Sequence, residues 1–352
     1  MYLGIEIGGT KLQLGVGDGD GSPLRELERF DVRPEHGALG ILEQIETAGV
    51  ILANRHQVTA IGVGFGGPVD ASTGRTVKSH AIDGWDDFQL GQWCRQRLGS
   101  PARVVNDCDA ACLAEARFGA GRHHRVVFYV TVGTGIGGGL VIDGHPHEGA
   151  GLASAEIGHL RPGLHAEQPD QTVEALASGW GIAAAAQARL VEPLAHQFLP
   201  FSGAGGSHHP EQVRQRLIEA EEAEEEYAAD LLERCDGQVD RLTTKLVAQA
   251  AADGNELARD VLLRAAQALG WGIAQVITLL APGVVVVGGG VSLSEESLFL
   301  DPVRKEVDRY VFPPLRGSCR IARAELGELV VVHGALAAAA LAQGRGAGST
   351  KA

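Results

Sequence analysis

Short apolar runs separated by a glycine-rich turn open the chain. Tyr2 to Ile7 and Leu12 to Val16 have the composition of strands, and Gly8-Gly9-Thr10-Lys11 lies between them. Two such runs around a tight turn predict a β-hairpin. The pattern returns at residues 126–142, where a second glycine-rich turn again separates two apolar runs. The repetition predicts two lobes built on the same plan.

Helical and strand patterns alternate around the two hairpins. Helices are predicted at residues 39–54, 107–118 and 257–280, and further strands at 60–65, 103–105 and 284–287. Val284 to Val287 is a run of four valines, which is typical of a strand buried on both faces. Alternating strands and helices predict an α/β protein. An acidic stretch at residues 211–234 is predicted to be a solvated helix.

Length and composition limit the class of protein. The 352 residues suit two lobes with a cleft between them, and hydrophobic residues make up 45% of the chain. The formal net charge of -14 gives no general positive field to attract nucleic acid or an anionic membrane surface. No secretory signal and no window of about 18 uninterrupted apolar residues is visible. We therefore expect a soluble, cytoplasmic protein whose five cysteines are reduced.

The glycine turns favour phosphate binding without either of two common nucleotide-binding motifs. Gly133, Gly135 and Gly138 match G-x-G-x-x-G, but a strand follows them where a dinucleotide-binding fold needs a helix. A P-loop motif is absent as well. What remains are turns whose backbone N–H groups can approach phosphate oxygens. Each turn alone could be only a hairpin, whereas a third glycine run at residues 288–290 favours the phosphate interpretation.

Six segments occur in an order that is known from one protein family. They are Gly4-Ile5-Glu6-Ile7-Gly8-Gly9-Thr10-Lys11, Gly62-Val63-Gly64-Phe65-Gly66-Gly67-Pro68-Val69, Val105-Asn106-Asp107-Cys108-Asp109-Ala110-Ala111, Val132-Gly133-Thr134-Gly135-Ile136-Gly137-Gly138-Gly139, Ala155-Glu156-Ile157-Gly158-His159 and Glu174-Ala175-Leu176-Ala177-Ser178-Gly179. They resemble the motifs of the ROK sugar kinases (repressors, open reading frames and kinases) of the actin/hexokinase superfamily. The resemblance covers most of the chain outside residues 194–246. It implies two actin-like, ribonuclease H-like α/β lobes with a cleft between them.

The resemblance also implies roles for individual residues. The ATP-binding residues would be Gly8, Gly9, Thr10, Lys11, Gly133, Thr134, Gly135 and Gly289. The sugar-binding residues would be Gly67, Asn106, Glu156, His159 and Glu174. Asp107 would be the catalytic base, although an Asp at a helix start is often only a cap or a first-turn charge. Mg²⁺ would arrive with ATP, and Glu6, where the family usually has Asp, would contact it through a water molecule.

The chain departs from many family members at the zinc site. Those members bind a structural zinc through the histidine that corresponds to His159 and three cysteines just beyond it. Here no cysteine lies between Cys112 and Cys235, and a closed zinc site needs four ligands at short range. We predict that there is no structural zinc.

The expected activity is ATP-dependent phosphorylation of a hexose hydroxyl, with glucose converted to glucose 6-phosphate as the first choice. N-acetylated hexosamines, fructose and allose are alternative acceptors, and polyphosphate is an alternative donor. A catalytically silent sugar sensor or scaffold is the rival from another class. A repressor is disfavoured because the first strand begins at Tyr2 and leaves no room for a helix-turn-helix. The resemblance further implies a homodimer.

The domain prediction assigns residues 1–119 to the N-terminal lobe, completed by a C-terminal helix at 334–345. Residues 120–333 are predicted to form the C-terminal lobe, with a helical insertion near 195–245. The last residues, 346–352, are predicted to be a disordered tail.

Overall fold

Two five-stranded sheets form the framework of the protein. The computed structural model describes residues 1–79, 81–150, 153–163, 168–191 and 223–348. The strands are β1 (Tyr2–Ile7), β2 (Lys11–Gly17), β3 (Glu26–Asp31), β4 (Ala60–Phe65), β5 (Val69–Asp70), β6 (Arg75–Thr76), β7 (Ala102–Asn106), β8 (Val126–Val132), β9 (Ile136–Ile142), β10 (His145–Pro146), β11 (Val284–Gly288) and β12 (Arg320–Arg323). The helices are α1 (Gly37–Arg55), α2 (Leu90–Leu98), α3 (Asp107–Phe118), α4 (Val173–Ala177), α5 (Gly179–Val191), α6 (residues 223–234), α7 (Thr244–Ala252), α8 (Glu256–Leu280), α9 (Leu300–Tyr310) and α10 (Val330–Gly348).

The two sheets have the same topology. The first has the strand order β3-β2-β1-β4-β7 and the second has the order β10-β9-β8-β11-β12. In each sheet a central strand pairs antiparallel with the returning strand of its hairpin and parallel with a later strand. The prediction of two α/β lobes on one plan is therefore confirmed.

Two helices join the lobes. Helix α10 packs on β1 and β4 of the first sheet, whereas α3 packs on β8 and β9 of the second, and the two helices pack against each other. Backbone approaches backbone closely in this layer: a side chain at Gly62 would collide with the Ala335 carbonyl, and one at Gly334 with the Ala110 carbonyl. Three apolar clusters result, one for each lobe and one around α3 and α10.

The observed elements follow the predicted ones with small shifts at their ends. Helix α3 has the predicted bounds. Strand β9 begins at Ile136, three residues earlier than the strand that was predicted to follow Gly138. Residues 223–234 are helical as predicted for the acidic run, whose first part, with most of the predicted insertion, lies outside the described residues.

The predicted C-terminal tail needs a correction. Helix α10 starts at Val330 and runs to Gly348, so residues 346–348 are helical, and 349–352 lie outside the described residues. The physical reason is helix propagation: once a long helix has formed, each further residue adds a backbone hydrogen bond without a new nucleation step, although glycines at 344, 346 and 348 are poor helix formers.

Two segments, Glu256–Leu280 and Gly327–Gly344, are long and apolar enough to cross a membrane by length and composition alone. The apolar stretch of the first is 67% buried inside the protein, as expected of a core helix. Length and apolarity in these two helices are thus explained by packing.

Candidate active site

A cleft with a volume of about 370 Å³ opens where elements of both lobes meet. Its walls come from β1 and the first glycine turn, from the start of α3, from β8, from residues 288–293, and from the segment that leads into α10. The glycine run at residues 288–290 therefore faces the same space as Asp107, Glu6 and Lys11.

Asp107 is the first residue of α3, directly after β7. The N-cap of this helix is Asn106, whose Oδ1 accepts a hydrogen bond from the Cys108 N–H at 2.8 Å. The same N–H also donates to Asp107 Oδ1 at 2.8 Å, while no described hydrogen bond uses Asp107 Oδ2. A methyl group placed on Gly66 would lie 3.6 Å from that oxygen, so it borders the backbone that follows β4. Because Asn106 caps the helix, Asp107 is not needed as the cap.

The surroundings of Asp107 disfavour its charge. Burial raises the pKa of this carboxyl, the Cys108 N–H opposes the rise, and the negative charge of Glu156 adds to it. A carboxylate with a raised pKa and an oxygen not used in any described hydrogen bond has the properties of a general base.

Glu6 and Lys11 form an ion pair at the phosphate side of the cleft. Lys11 Nζ lies 3.1 Å from Glu6 Oε1 and donates to the Glu328 carbonyl at 3.3 Å. Burial raises the pKa of Glu6, and the nearby ammonium of Lys11 opposes the rise. Glu6 Oε2 is buried and has no hydrogen-bond partner among the described residues. That oxygen fits a water molecule of a hydrated Mg²⁺, because Mg²⁺ keeps several of its waters when it binds.

The three glycine turns differ in how they are held. The Gly8 N–H donates to the Lys11 carbonyl at 3.0 Å, and the Gly133 N–H donates to the Gly135 carbonyl at 3.0 Å. Gly289 has a φ of +85°, and a Cβ there would lie 2.5 Å from the Val132 carbonyl carbon and oxygen. Only glycine suits that position, which brings the third turn against the start of the second. Thr10 and Thr134 are exposed.

The predicted sugar-binding residues surround the start of α3. Asn106 Nδ2 donates to the Gly67 carbonyl at 3.0 Å, and Asn106 and Glu156 line one small pocket. The His159 N–H donates to the Glu156 carbonyl at 3.1 Å within the short helical turn Ile157–His159. Burial raises the pKa of Glu156, an effect that His159 opposes and Glu174 supports. Gly67, Asn106, Asp107 and Glu156 are thus adjacent.

Glu174 has a position that the motif alone does not reveal. Its Oε2 accepts a hydrogen bond from the Ile136 N–H at 2.8 Å, at the end of the second glycine turn. The carboxylate therefore links the α4 segment to the second glycine turn, and its charge contributes to the raised pKa of Glu156. Its contact with a sugar remains a prediction.

Sequence reasoning missed two acidic residues of the site. Asp109 lines the small pocket, and burial together with Asp107, Glu156 and Glu148 raises the pKa of its carboxyl to about 7, while its Oδ1 is buried without a partner. Its place in the first turn of α3 was the available signal. Glu328 lines the large cleft, but nothing in the local sequence distinguishes it.

A protein metal site needs several His, Cys, Asp or Glu side chains close together. No group of three or more His, Cys, Asp or Glu side chains is placed to hold a metal ion there. His165 and Glu167, in the loop beyond His159, lie outside the described residues. The absence of zinc therefore stays a prediction.

Comparison with known proteins shows the family. The sequence profile of the ROK family matches residues 2–344, and the chain therefore belongs to this family. The glucokinase of Streptomyces coelicolor is 31% identical over 312 residues, which is 88% of each chain. The glucokinase of Thermotoga maritima is 27% identical over 333 residues, which is 95% of each chain. Among solved structures, a ROK family glucokinase from Streptomyces griseus in complex with glucose and AMPPNP is 32% identical, with a TM-score of 0.74 over 97% of this chain and 99% of that one.

Fold, cleft and family agree on the class of protein. The two lobes are the actin-like lobes of the ROK sugar kinases, as the motifs predict. The chain is a sugar kinase of the ROK family, in a variant without the zinc-binding cysteines.

Proposed function

We propose that this sugar kinase transfers the γ-phosphoryl group of ATP to a hydroxyl of glucose, giving glucose 6-phosphate and ADP, with Asp107 as the general base. The observation that carries the proposal is the position of Asp107 at the junction of the two lobes, with one carboxylate oxygen outside the described hydrogen bonds and a raised pKa. Glucose is supported by the glucokinase names of the relatives at 31% and 27% identity, and by the glucose bound to the structure at 32% identity.

The charge balance of the cleft supports ATP as its Mg²⁺ complex. Among the described residues that line it, Glu6, Asp107 and Glu328 are acidic and Lys11 is the one basic residue. A bare nucleotide polyanion would be repelled by this set, so a metal ion that bridges phosphate oxygens would neutralise the charge. Backbone N–H groups of the turns at Gly8 and Gly133 would supply the remaining phosphate contacts. The free oxygen of Glu6 would accept a hydrogen bond from a metal-bound water.

The proposed reaction gives each of these groups a role. Asp107 would take the proton of the attacking hydroxyl while the oxygen bonds to the γ-phosphorus and the bond to the β-phosphate oxygen breaks. Asn106 would hold Asp107 in place through the cap of α3, and Gly67, Glu156, His159 and Glu174 would orient the sugar. Closure of the lobes would exclude water and so limit ATP hydrolysis.

The test is a coupled assay of ADP formation that crosses glucose, an N-acetylated hexosamine, fructose and allose with ATP and polyphosphate. We expect the highest kcat/KM for glucose with ATP, and a loss of about 10²–10⁴-fold in Asp107→Ala, the range for removing a general base. The matched control is Asp308→Ala, because Asp308 is exposed on α9. Turnover of no pair would refute the kinase assignment, and glucose binding without turnover would establish the sensor alternative.

We further propose that the protein is a cytoplasmic homodimer. Within each subunit, the boundary between the two lobes would lie between residues 119 and 120. Light scattering coupled to size exclusion tests the oligomeric state, and a monomeric mass would contradict this part of the proposal.

A further inference from the structure

The chain crosses between the lobes twice. The first crossing, residues 119–125, leads from α3 to β8, and the second, residues 324–329, leads from β12 to α10. In the described part of the chain, both crossings make hydrogen bonds to the same side chain, Glu115 of α3.

The side chain of Glu115 holds one residue of the first crossing and two of the second. Its Oε2 accepts a hydrogen bond from the Ala120 N–H at 2.8 Å. Its Oε1 accepts from the N–H groups of Glu325 and Leu326, each at 2.9 Å. The backbone carbonyl of Glu115 adds two bonds from the first crossing, from the N–H groups of Gly119 and Gly121.

A buried carboxylate destabilises the fold unless hydrogen bonds satisfy its oxygens. Glu115 is completely buried, and none of the described ion pairs includes it. Three N–H groups on two oxygens suit a carboxylate, which only accepts hydrogen bonds. An amide in its place would turn an NH₂ group toward at least one of the three donors and leave it unpaired.

Gly119 lies directly against the carboxylate of Glu115. A Cβ at Gly119 would collide with Glu115 Oε2, so the first crossing can approach this closely only without a side chain. The backbone of Gly119 has a φ of -111° and a ψ of -145°, which other residues can adopt. The requirement for glycine is therefore one of space beside Glu115.

Both ends of this contact lead to the active site. Helix α3 carries Asp107 at its start, two turns before Glu115. The second crossing continues from Leu326 to Glu328, which lines the cleft and whose carbonyl accepts the hydrogen bond from Lys11. Glu115 is therefore a fixed point between the base and the edge of the nucleotide side.

We propose that Glu115 is a positioning residue that pins both inter-lobe crossings at one point, so that the lobes close about it with Asp107 aligned to the bound nucleotide. The proposal rests on the proposed function, because closure of the lobes serves phosphoryl transfer. Loss of the pin leaves two lobes that still bind their ligands but close imprecisely.

The principal variant is Glu115→Gln, compared with Glu325→Ala as the matched control. The control removes the exposed ion pair between Glu325 and Arg122 but keeps the backbone N–H that donates to Glu115. Gly119→Ala serves as a second variant, since it displaces Oε2 by volume and leaves the carboxylate intact. It keeps the question decidable if Glu115→Gln does not fold.

Three measurements are made on folded protein. For Glu115→Gln and Gly119→Ala we expect kcat to fall by about 10-fold or more, since small misplacements of reacting groups cost up to about 10²-fold. KM for sugar and ATP should change less than kcat, and ATP hydrolysis without sugar should rise relative to kcat. Amide hydrogen exchange should accelerate at Ala120, Glu325 and Leu326. Glu325→Ala should match the wild type in all three.

Wild-type kcat in both Glu115→Gln and Gly119→Ala, or unchanged exchange at the three amides, would overturn the proposal. A lowered Tm with normal kcat per folded molecule would reduce Glu115 to a structural role. If the wild type itself shows no turnover, the proposed function fails, and the hydrogen-exchange result, with small-angle scattering with and without sugar, still decides whether Glu115 pins the crossings.

Discussion

At the scale of single residues, the cleft contains buried carboxylates whose ionisation lowers the stability of the folded protein. Asp107 illustrates this, because burial raises the pKa of its carboxyl and Glu156 adds to the rise. A group whose pKa is higher in the folded than in the unfolded protein stabilises the fold when it is protonated. That contribution is present at low pH and is lost as the pH rises through the folded-state pKa. Above that pKa, the ionised Asp107 therefore makes the free protein less stable than a neutral side chain would.

Asp107→Asn is expected to be inactive and, at pH values above the raised pKa of Asp107, more stable than the wild type. Asparagine keeps an oxygen for the Cys108 N–H but carries no charge. We expect the free energy of unfolding to rise by about 0.5–2 kcal/mol, the range common for stabilising substitutions. The advantage should vanish as the pH falls through the raised pKa of Asp107, because the wild-type side chain then becomes neutral as well. Urea unfolding of both proteins across this pH range measures the effect, and a variant that is less stable than the wild type at every pH would contradict it.

At the scale of elements, the start of α3 does two jobs at once. Asn106 caps the helix through Oδ1 and fixes the Gly67 carbonyl through Nδ2. The helix therefore begins at a defined distance from the loop after β4. Asp107 inherits its orientation from that cap, which explains how an aspartate in a helix can be rigid without capping it.

Asn106→Ala should separate the cap from the catalytic role when it is compared with Thr243→Ala. Thr243 is the N-cap of α7, and its side chain accepts from the Leu246 N–H. Each variant should lose about 1 kcal/mol of stability, the usual value for losing a cap. Only Asn106→Ala should also lose kcat, by at least about 10-fold, because Asp107 is no longer held. Equal kcat in the two variants would show that the cap does not position the base.

At the scale of the whole molecule, α3 and α10 unite the two lobes into one structure. Helix α10, which ends the described chain, packs on β1 and β4 of the first sheet and on α3, the helix that starts at Asp107. Contacts between the first and last parts of the sequence thus support the active site. Gly334 makes the closest of these approaches, toward the Ala110 carbonyl.

Two glycines of α10 provide a matched test of this layer. Gly334→Ala should lower the free energy of unfolding by about 1–3 kcal/mol, because the added methyl group overlaps backbone atoms of α3. Gly344→Ala should raise it by about 0.4–1 kcal/mol, since a Cβ there meets nothing within 4 Å and alanine favours the helix. Chemical denaturation followed by circular dichroism distinguishes the two. Equal effects would mean that α10 does not pack closely on α3.

Much of the fold could be read from local patterns. Glycine turns predict the hairpins because the two strands of a hairpin are neighbours in the chain, and a valine run predicts a central strand because such a strand is buried on both faces. The ordered motifs predict the family and the two-lobe fold, both of which are confirmed. The exact end of α10 could not be predicted, because it depends on how far a helix packed on the sheet continues into a glycine-containing segment.

The site was predictable only where a motif marks it. Asn106 and Asp107 stand in a recognisable run, and the structure adds the physical reason, which is the double role of the asparagine. Glu328 and Glu115 carry no local mark, since Lys11 lies 317 residues from Glu328, and Glu325 lies 210 residues from Glu115. Their electrostatics also depend on burial, a property of the folded molecule.

The sequence by itself therefore determined the elements, the two-lobe plan, the family and the residues that its motifs contain, because each of these is encoded in spacing along the chain. Only the tertiary structure decided which carboxylates meet in the cleft, which oxygens remain without a partner, and that both crossings between the lobes converge on Glu115. The reason is physical: burial, pKa shifts and backbone hydrogen bonds to distant side chains arise from contacts between residues far apart in the chain, and no local pattern specifies them.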